Sequence, residues 1–265
     1  MPNLPEGRAA ITGASSGIGA AYADRLARRG HPLLLIARRA ERLEAAAATL
    51  RQAHGIDVQT LVADLEQAAD VAAVEARFAD PELAILVNNA GAGGLGPVAA
   101  VSADRMERIL TLNVLALARL SHAALATFRA RKGGLLVNIG SVMAHAPSAG
   151  GAAYGGSKAF VLTFTRSLAL EYAEGPIRVQ LVMPGPVRTE FFSSQGMSDG
   201  VFPDAAYLTP DQLVDAALAG AEAGETVTVP SLGDPEIWNR LEAARQAFMG
   251  AVGSGQVAPR YLTPA

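Results

Sequence analysis

Tyr154 and Lys158 stand four residues apart in Tyr154-Gly155-Gly156-Ser157-Lys158, the spacing that puts two side chains on one helix face. A free phenol, with a pKa of ~10, is a poor acid or base near neutrality. An ammonium beside it stabilises the phenolate and lowers that value by ~1–3 units. Such a pair can protonate a developing alkoxide or deprotonate an alcohol. The pattern alone is also common on solvated surface helices. Ser141 strengthens it: it follows the strand candidate Leu135–Ile139 and precedes Tyr154 by thirteen residues. The carboxyl end of a strand is where α/β sheets bind ligands. Asn113 interrupts an apolar helical stretch between Leu112 and Val114. A buried amide is costly unless hydrogen-bonded, so Asn113 is either a structural amide or part of the same site.

A second constellation lies near the N-terminus. Thr12-Gly13-Ala14-Ser15-Ser16-Gly17-Ile18-Gly19 follows the strand candidate Arg8–Thr12 and opens a helix over about Gly17–Arg29. Glycines let backbone approach a pyrophosphate, and the free N–H groups of a helix start favour anions. At the end of the second strand an acid would accept hydrogen bonds from the ribose hydroxyls of NAD. This chain has Ala37, then Arg38 and Arg39. Guanidinium groups fork onto phosphates, so the expected cofactor is NADP(H), with Arg38 the preferred reader of the extra phosphate.

On these residues the chain resembles the short-chain dehydrogenase/reductase family, from Arg8 to about Pro230. The glycine spacing, Asn88-Asn89-Ala90-Gly91 after the fourth strand, and the Ser141, Tyr154, Lys158 set carry the resemblance. It implies that Gly13, Ser15, Ser16, Gly17, Ile18 and Gly19 bind the dinucleotide. Asp64 and Leu65 then approach the adenine, and Asn89, Ala90 and Gly91 border the cofactor. Pro184, Gly185, Val187 and Thr189 contact the nicotinamide end. It further implies that Ser141 holds the substrate oxygen and Tyr154 is the acid/base. Lys158 also grips the nicotinamide ribose, and Asn113 kinks its helix and holds a water in a proton relay. The chain departs from the family pattern at Gly155-Gly156, where two glycines weaken a helix start by ~1 kcal/mol each, and at Ser16, where some NADP-dependent members carry a basic residue.

The elements that must position these groups alternate along the chain. Strand candidates at Arg8–Thr12, Pro32–Ala37, Val58–Ala63, Leu83–Asn88, Leu135–Ile139, Ile177–Met183 and Thr226–Val229 are mostly solid apolar runs, as a parallel sheet covered on both faces requires. Helical stretches at about Gly17–Arg29, Ala40–His54, Gln67–Ala79, Asp104–Arg131, Tyr154–Glu174 and Gln212–Ala223 separate them. The expectation is one Rossmann-type, doubly wound α/β domain over 1–265, with a seven-stranded, mostly parallel sheet. A Pro-, Gly- and Phe-rich stretch over 184–209 reads as a lid. Phe191, Phe192, Met197, Phe202 and Tyr207 would line it, and Phe191 and Phe192, with Met143 and His145, are candidate substrate contacts. Residues 231–265 form a C-terminal extension in which Ile237, Leu241, Ala244 and Phe248 share helical spacing.

Composition narrows the alternatives. The chain has 265 residues, a net charge of −3 and no cysteine. Disulfides and thiolate metal sites are excluded, no His/Asp/Glu cluster has metal-ligand spacing, and no basic surplus suggests nucleic acid. With no leader pattern in Met1–Gly7 and no apolar run of ~18 residues, the expected location is the cytoplasm, without a membrane partner. Apolar residues on more than one face of the helices at 104–131 and 154–174 predict contact with a second subunit, and the family resemblance implies a homodimer or homotetramer. The function expected is hydride transfer between NADP(H) and a carbonyl or secondary alcohol, in an apolar site. The competing reading is an NADP-binding sensor or scaffold without catalysis.

Overall fold

The structure, a computed structural model, describes residues 4–196, 198, 201–253 and 255–262. They form two compact units, Met1–Pro230 and Ser231–Ala265. In the first, seven strands alternate with helices: β1 Arg8–Thr12, α1 Gly17–Arg28, β2 Leu33–Ala37, α2 Ala40–His54, β3 Val58–Val62, α3 Ala68–Arg77 and β4 Leu83–Asn88. A long helical run follows, made of α4 Ala103–Leu110 and α5 Leu117–Arg131 joined by one π-helical stretch, Thr111–Ala116. Then come β5 Gly134–Ile139, α6 Ala152–Glu171, β6 Ile177–Val182, α7 Pro210–Ala223 and β7 Val227–Thr228.

The sheet order is β3-β2-β1-β4-β5-β6-β7, and all six pairings are parallel. This is the Rossmann-type doubly wound sheet. Successive strand residues face opposite layers. Ala9, Ile11, Leu33 and Leu35 join a core with α1, α2 and α7. Ala10, Leu34 and Ile36 join another with α3, α5 and α6. Both faces are thus covered, which is why β2 and β4 are buried along their whole lengths. The order reverses between β1 and β4, opening a crevice at the carboxyl ends of these strands. The glycine turn, the Asn89 loop and Ser141 all sit at strand carboxyl ends along that edge.

Two departures from the sequence reading matter. The expected single helix over 104–131 contains the π-helical stretch centred on Asn113; a π turn is rare and is found mostly at functional sites. The run Ala103–Arg131 also has the length and hydropathy to cross a membrane, a test that the sequence reading did not expect any stretch to pass. Here Leu117, Leu120, Ala124, Leu125 and Phe128 of that run are buried, and Leu120, Ala124, Leu125 and Phe128 join the core that holds alternate residues of β1, β2, β4 and β5, the placement of a core helix.

The second unit is built on α8, Pro235–Val252, whose first turn is capped by Asp234 accepting a hydrogen bond from the Glu236 N–H at 2.9 Å. A further helical turn spans Pro259–Tyr261.

Candidate active site

The site has a floor of buried polar groups. Thr12, at the end of β1, accepts the N–H groups of Asn89 and Ala90, each at 3.0 Å. Asn89 returns the contact by donating to the Thr12 carbonyl at 2.9 Å and the Gly13 carbonyl at 3.3 Å. Below them a polar chain crosses the buried layer: Asn88 donates to Ser121 and to Asn138, and Asn138 to Thr165, each at 3.0 Å. Such networks are favourable only when their members are paired, and here they tie β4 and β5 to α5 and α6.

The glycine turn meets the strand in a space that admits no side chain. Gly13 and Gly17 have positive φ, 68° and 55°, the region favouring glycine. A Cβ on Gly19 would lie 2.3 Å from the Gly13 carbonyl oxygen, so only glycine lets α1 start this close to β1. Helix α1 begins without a side-chain cap, because the Ser16 hydroxyl accepts instead from Arg39 at 2.7 Å. Uncapped N–H groups at a helix start, bordered by Thr189 and Arg39, are the cradle a pyrophosphate requires. Ile18 is partly buried against the core.

Ser141 follows β5 with its hydroxyl accepting the Met143 N–H at 3.2 Å. Tyr154 lies in the first turn of α6. Burial pushes its phenol above the ordinary value, and the nearby Ser141 hydroxyl opposes this. Lys158 is buried one turn on. Its ammonium donates to the Ile139 carbonyl at 2.9 Å and lies 5.8 Å from the centroid of the Tyr154 ring. Burial holds Lys158 down to about 8. The expected depression of the phenol by Lys158 is not what governs Tyr154 in the chain by itself, where desolvation raises the phenol and Ser141 opposes it.

Asn113 joins the floor to α6. Its side chain accepts the Ala92 N–H and donates to the Ala92 carbonyl, both at 2.9 Å. It also donates at 3.0 Å to Ser157, whose hydroxyl donates at 2.7 Å to the Tyr154 carbonyl. Asn113 thus fastens the loop after β4 to α6 from the π turn. A Cβ on Gly91 would lie 3.3 Å from the Asn113 Oδ1 and 3.8 Å from the Lys158 ammonium, so Gly91 keeps the space beside both open.

The rim is exposed and charged. Arg39 donates to Glu190 at 2.8 Å and to Ser16 and Ser15 at 2.7 and 3.3 Å. Arg42 takes the other Glu190 oxygen at 2.7 Å. Arg38 points instead toward Glu66, at 3.5 Å, and Asp64, at 3.9 Å. Arg39, rather than the preferred Arg38, is the arginine against the glycine turn. Asp64 accepts the Glu66 N–H at 3.1 Å, while Leu65 is buried in the core.

The segment 184–209 is pinned at its base, where Val187 bridges to Leu208. Pro184 accepts the Val142 N–H at 3.0 Å, and Gly185 follows it. Val187, expected at the cofactor, buries its side chain in the core. Thr189 lies over Gly17, its Cγ2 3.1 Å from where a Cβ would stand. Of the expected lid aromatics, Phe191 reaches Tyr154, with ring centroids 5.4 Å apart. Phe192, Phe202 and Tyr207 pack on one another at 6.0 to 6.2 Å, as the segment's own small core; Met197 lies outside the described residues. Met143 and His145 lie in and just after the helical turn following Ser141. The sequence reading missed Ser157, Arg42 and Glu190 and gave Thr12 no role. Arg42 had a usable signal, standing three residues from Arg39 on one helix face; Glu190 had none.

The chain is similar to known proteins in sequence and fold. The family described as short chain dehydrogenase matches residues 8–199. A short-chain dehydrogenase from Sphingobium yanoikuyae, solved in complex with NADPH, is 45% identical, with 96% of this chain and 100% of that one covered and a TM-score of 0.92. The bulky-bulky ketone specific alcohol dehydrogenase from Comamonas testosteroni is 41% identical over 99% of this chain and 100% of that one, with a TM-score of 0.88. Serine 3-dehydrogenase from Agrobacterium fabrum is 36% identical over 247 residues, 91% of this chain and 95% of the relative.

Proposed function

The chain belongs to the short-chain dehydrogenase family, and from that premise we propose that it is an NADP(H)-dependent oxidoreductase acting on apolar ketones or secondary alcohols. One observation carries the reading: the Ser141 hydroxyl stands near enough to the Tyr154 phenol to oppose the effect of its burial, while the Phe191 ring stands against the Tyr154 ring. A polar pair for one substrate oxygen therefore meets an apolar wall. The neighbours solved with NADPH and described as specific for bulky ketones support both halves of the proposal.

Gly13, Gly17 and Gly19 leave the cradle for the dinucleotide, and Arg38 and Arg39 stand where an additional phosphate needs cations. When bound, the dinucleotide gives or takes the hydride at its nicotinamide ring, and its oxidised, cationic form favours the phenolate. In reduction, the Ser141 hydroxyl holds the carbonyl oxygen and the Tyr154 hydroxyl delivers the proton to it; oxidation reverses this. Lys158, charged below a pH of about 8, supplies the positive field beside the phenol. Asn113 holds Ser157 and the loop at Ala92, and so fixes the start of α6. The apolar residues Leu115 and Phe160, exposed on the π turn and α6, are the surface through which two copies would pair.

The test is a fluorescence titration with NADPH and NADH, then a panel of carbonyls and alcohols of increasing bulk. Tyr154→Phe should lower turnover by ~10²–10⁴ while NADPH still binds. Near-full activity in that variant would remove the assignment, and tight NADPH binding with no oxidation on any substrate would favour a sensor.

A further inference from the structure

Residues 189–191 make three contacts in succession. Thr189 lies against Gly17 of the glycine turn, Glu190 holds Arg39 and Arg42, and Phe191 stands on Tyr154. We propose that the Glu190 carboxylate is a built-in stand-in for the cofactor's 2′-phosphate, exchanged for it on binding, so that cofactor identity is passed to Phe191 beside the catalytic tyrosine. The inference rests on the NADP(H) reading above and adds a positioning residue to it.

The donor set is one that an anion needs. Each carboxylate oxygen takes one guanidinium, at 2.8 and 2.7 Å. The same Arg39 is steadied on its other side by the Ser16 and Ser15 hydroxyls. Two arginines and two hydroxyls thus converge at the mouth of the dinucleotide cradle, around a negative charge supplied by the protein. The arginines hold the Glu190 carboxyl below the usual carboxylate range, so it is ionised.

The pairs are also exchangeable. Arg39, Arg42 and Glu190 have side chains 42%, 54% and 54% exposed, and exposed pairs are weak and screened by salt. A phosphate brings nearly twice the charge and three acceptor oxygens, so it wins both arginines. Glu190 then faces a like charge and leaves. Its backbone cannot move alone: the Glu190 carbonyl accepts the Ser194 N–H at 2.8 Å, and the Phe191 N–H is held by the Thr189 hydroxyl at 3.2 Å. Displacing Glu190 therefore shifts Phe191.

The experiment uses the full chain, adenosine 2′-monophosphate as a probe that carries the phosphate without nicotinamide, and adenosine 5′-monophosphate as its control. Affinities come from calorimetry, and the mobility of residues 186–195 from hydrogen exchange. Glu190→Gln should bind the 2′-phosphate about fivefold more tightly, the scale of one unit charge a few Å away in water, with the 5′-phosphate unchanged. In wild type, the 2′-phosphate should speed exchange at 189–192; in Glu190→Gln those amides should exchange fast from the start. Equal or weaker 2′-phosphate binding in the variant, or wild-type exchange unmoved at saturation, overturns the proposal. A wild type that binds the two nucleotides equally would instead remove the NADP(H) reading, and the proposal with it.

Discussion

Asn113 and Lys158, on the floor of the site, are buried and fasten to backbone carbonyls and amides. Arg38, Arg39, Arg42 and Glu190, on the rim, are exposed and fasten mainly to other side chains. The two regions face the same crevice with different physics. A floor partner that is lost leaves a buried polar group unpaired, which costs ~1–3 kcal/mol. A rim partner that is lost is replaced by water at little cost. The floor is therefore suited to holding Tyr154, the proposed acid/base, in one geometry, and the rim to the proposed exchange of one anion for another.

The sharpest way to break this contrast is Asn113→Ala. It strands the Ala92 N–H and carbonyl and releases Ser157 from the π turn. Unfolding by urea should show a loss of about 2–5 kcal/mol, from the part-buried Ala92 N–H and carbonyl and the buried Ser157 hydroxyl that lose this partner. A loss as small as that of a rim variant would mean that the floor does not depend on this amide.

Lys158 tests the floor through pH. Its ordinary value is 10.5 and burial holds it to about 8. Between those pH values the unfolded chain binds the proton and the folded chain does not, so this residue adds stability as pH rises. Below pH 8 both states are charged and the full cost of burial is present. The stability of wild type relative to Lys158→Met should therefore climb by roughly 3 kcal/mol, at ~1.4 kcal/mol per unit, between pH 7.5 and 10.5. A difference that stays flat across that range would show the ammonium to be hydrated in the folded protein.

The rim should respond to cofactor alone. Arg39→Gln should weaken NADPH about tenfold, the effect of ~1.4 kcal/mol from a charge-assisted contact, and leave NADH and folding stability unchanged. Arg38→Gln should do less, since Arg38 is turned toward Glu66 and Asp64. The reverse order would restore Arg38 as the phosphate reader.

The same contrast explains what the sequence made legible. Strand boundaries at Arg8–Thr12 and Leu83–Asn88 and the helix at Ala40–His54 agree with the structure residue for residue. Solid apolar runs and glycine turns leave few alternatives for a buried sheet. Tyr154, Lys158, Ser141 and the glycine turn were visible because backbone geometry fixes their spacing. At Asn113 the sequence showed an interrupted apolar stretch and the family resemblance implied a kink, but neither gave the π-helical form that the structure has. Glu190 lies 151 residues from Arg39. Exposed charges carry no periodicity, so nothing in the sequence joined them. Phe191 and Phe192 are adjacent and chemically alike, yet the fold turns one ring to Tyr154 and the other to Phe202 and Tyr207.

Gly155 and Gly156 separate the floor from its outer surface, and they allow the smallest test. A Cβ on Gly155 would make ordinary contact with the Met143 carbonyl oxygen at 3.5 Å, and one on Gly156 would meet nothing within 4 Å. Both lie inside α6 with no positive φ. Close packing within the chain therefore does not require glycine at 156, and the helix is weakened there without a structural return. Gly156→Ala should raise stability by about 0.5–1 kcal/mol, read as an upward shift in Tm. Gly156 is two residues from both Tyr154 and Lys158 and so lies on the other, exposed side of the helix; the variant's activity on the bulk series tests whether substrate reaches that side. Stabilisation with unchanged KM would leave Phe191 as the main wall of the pocket. Stabilisation with KM rising only for the bulkiest ketones would assign the room above Gly156 to substrate, and would move part of the specificity from the exposed segment to the catalytic helix itself.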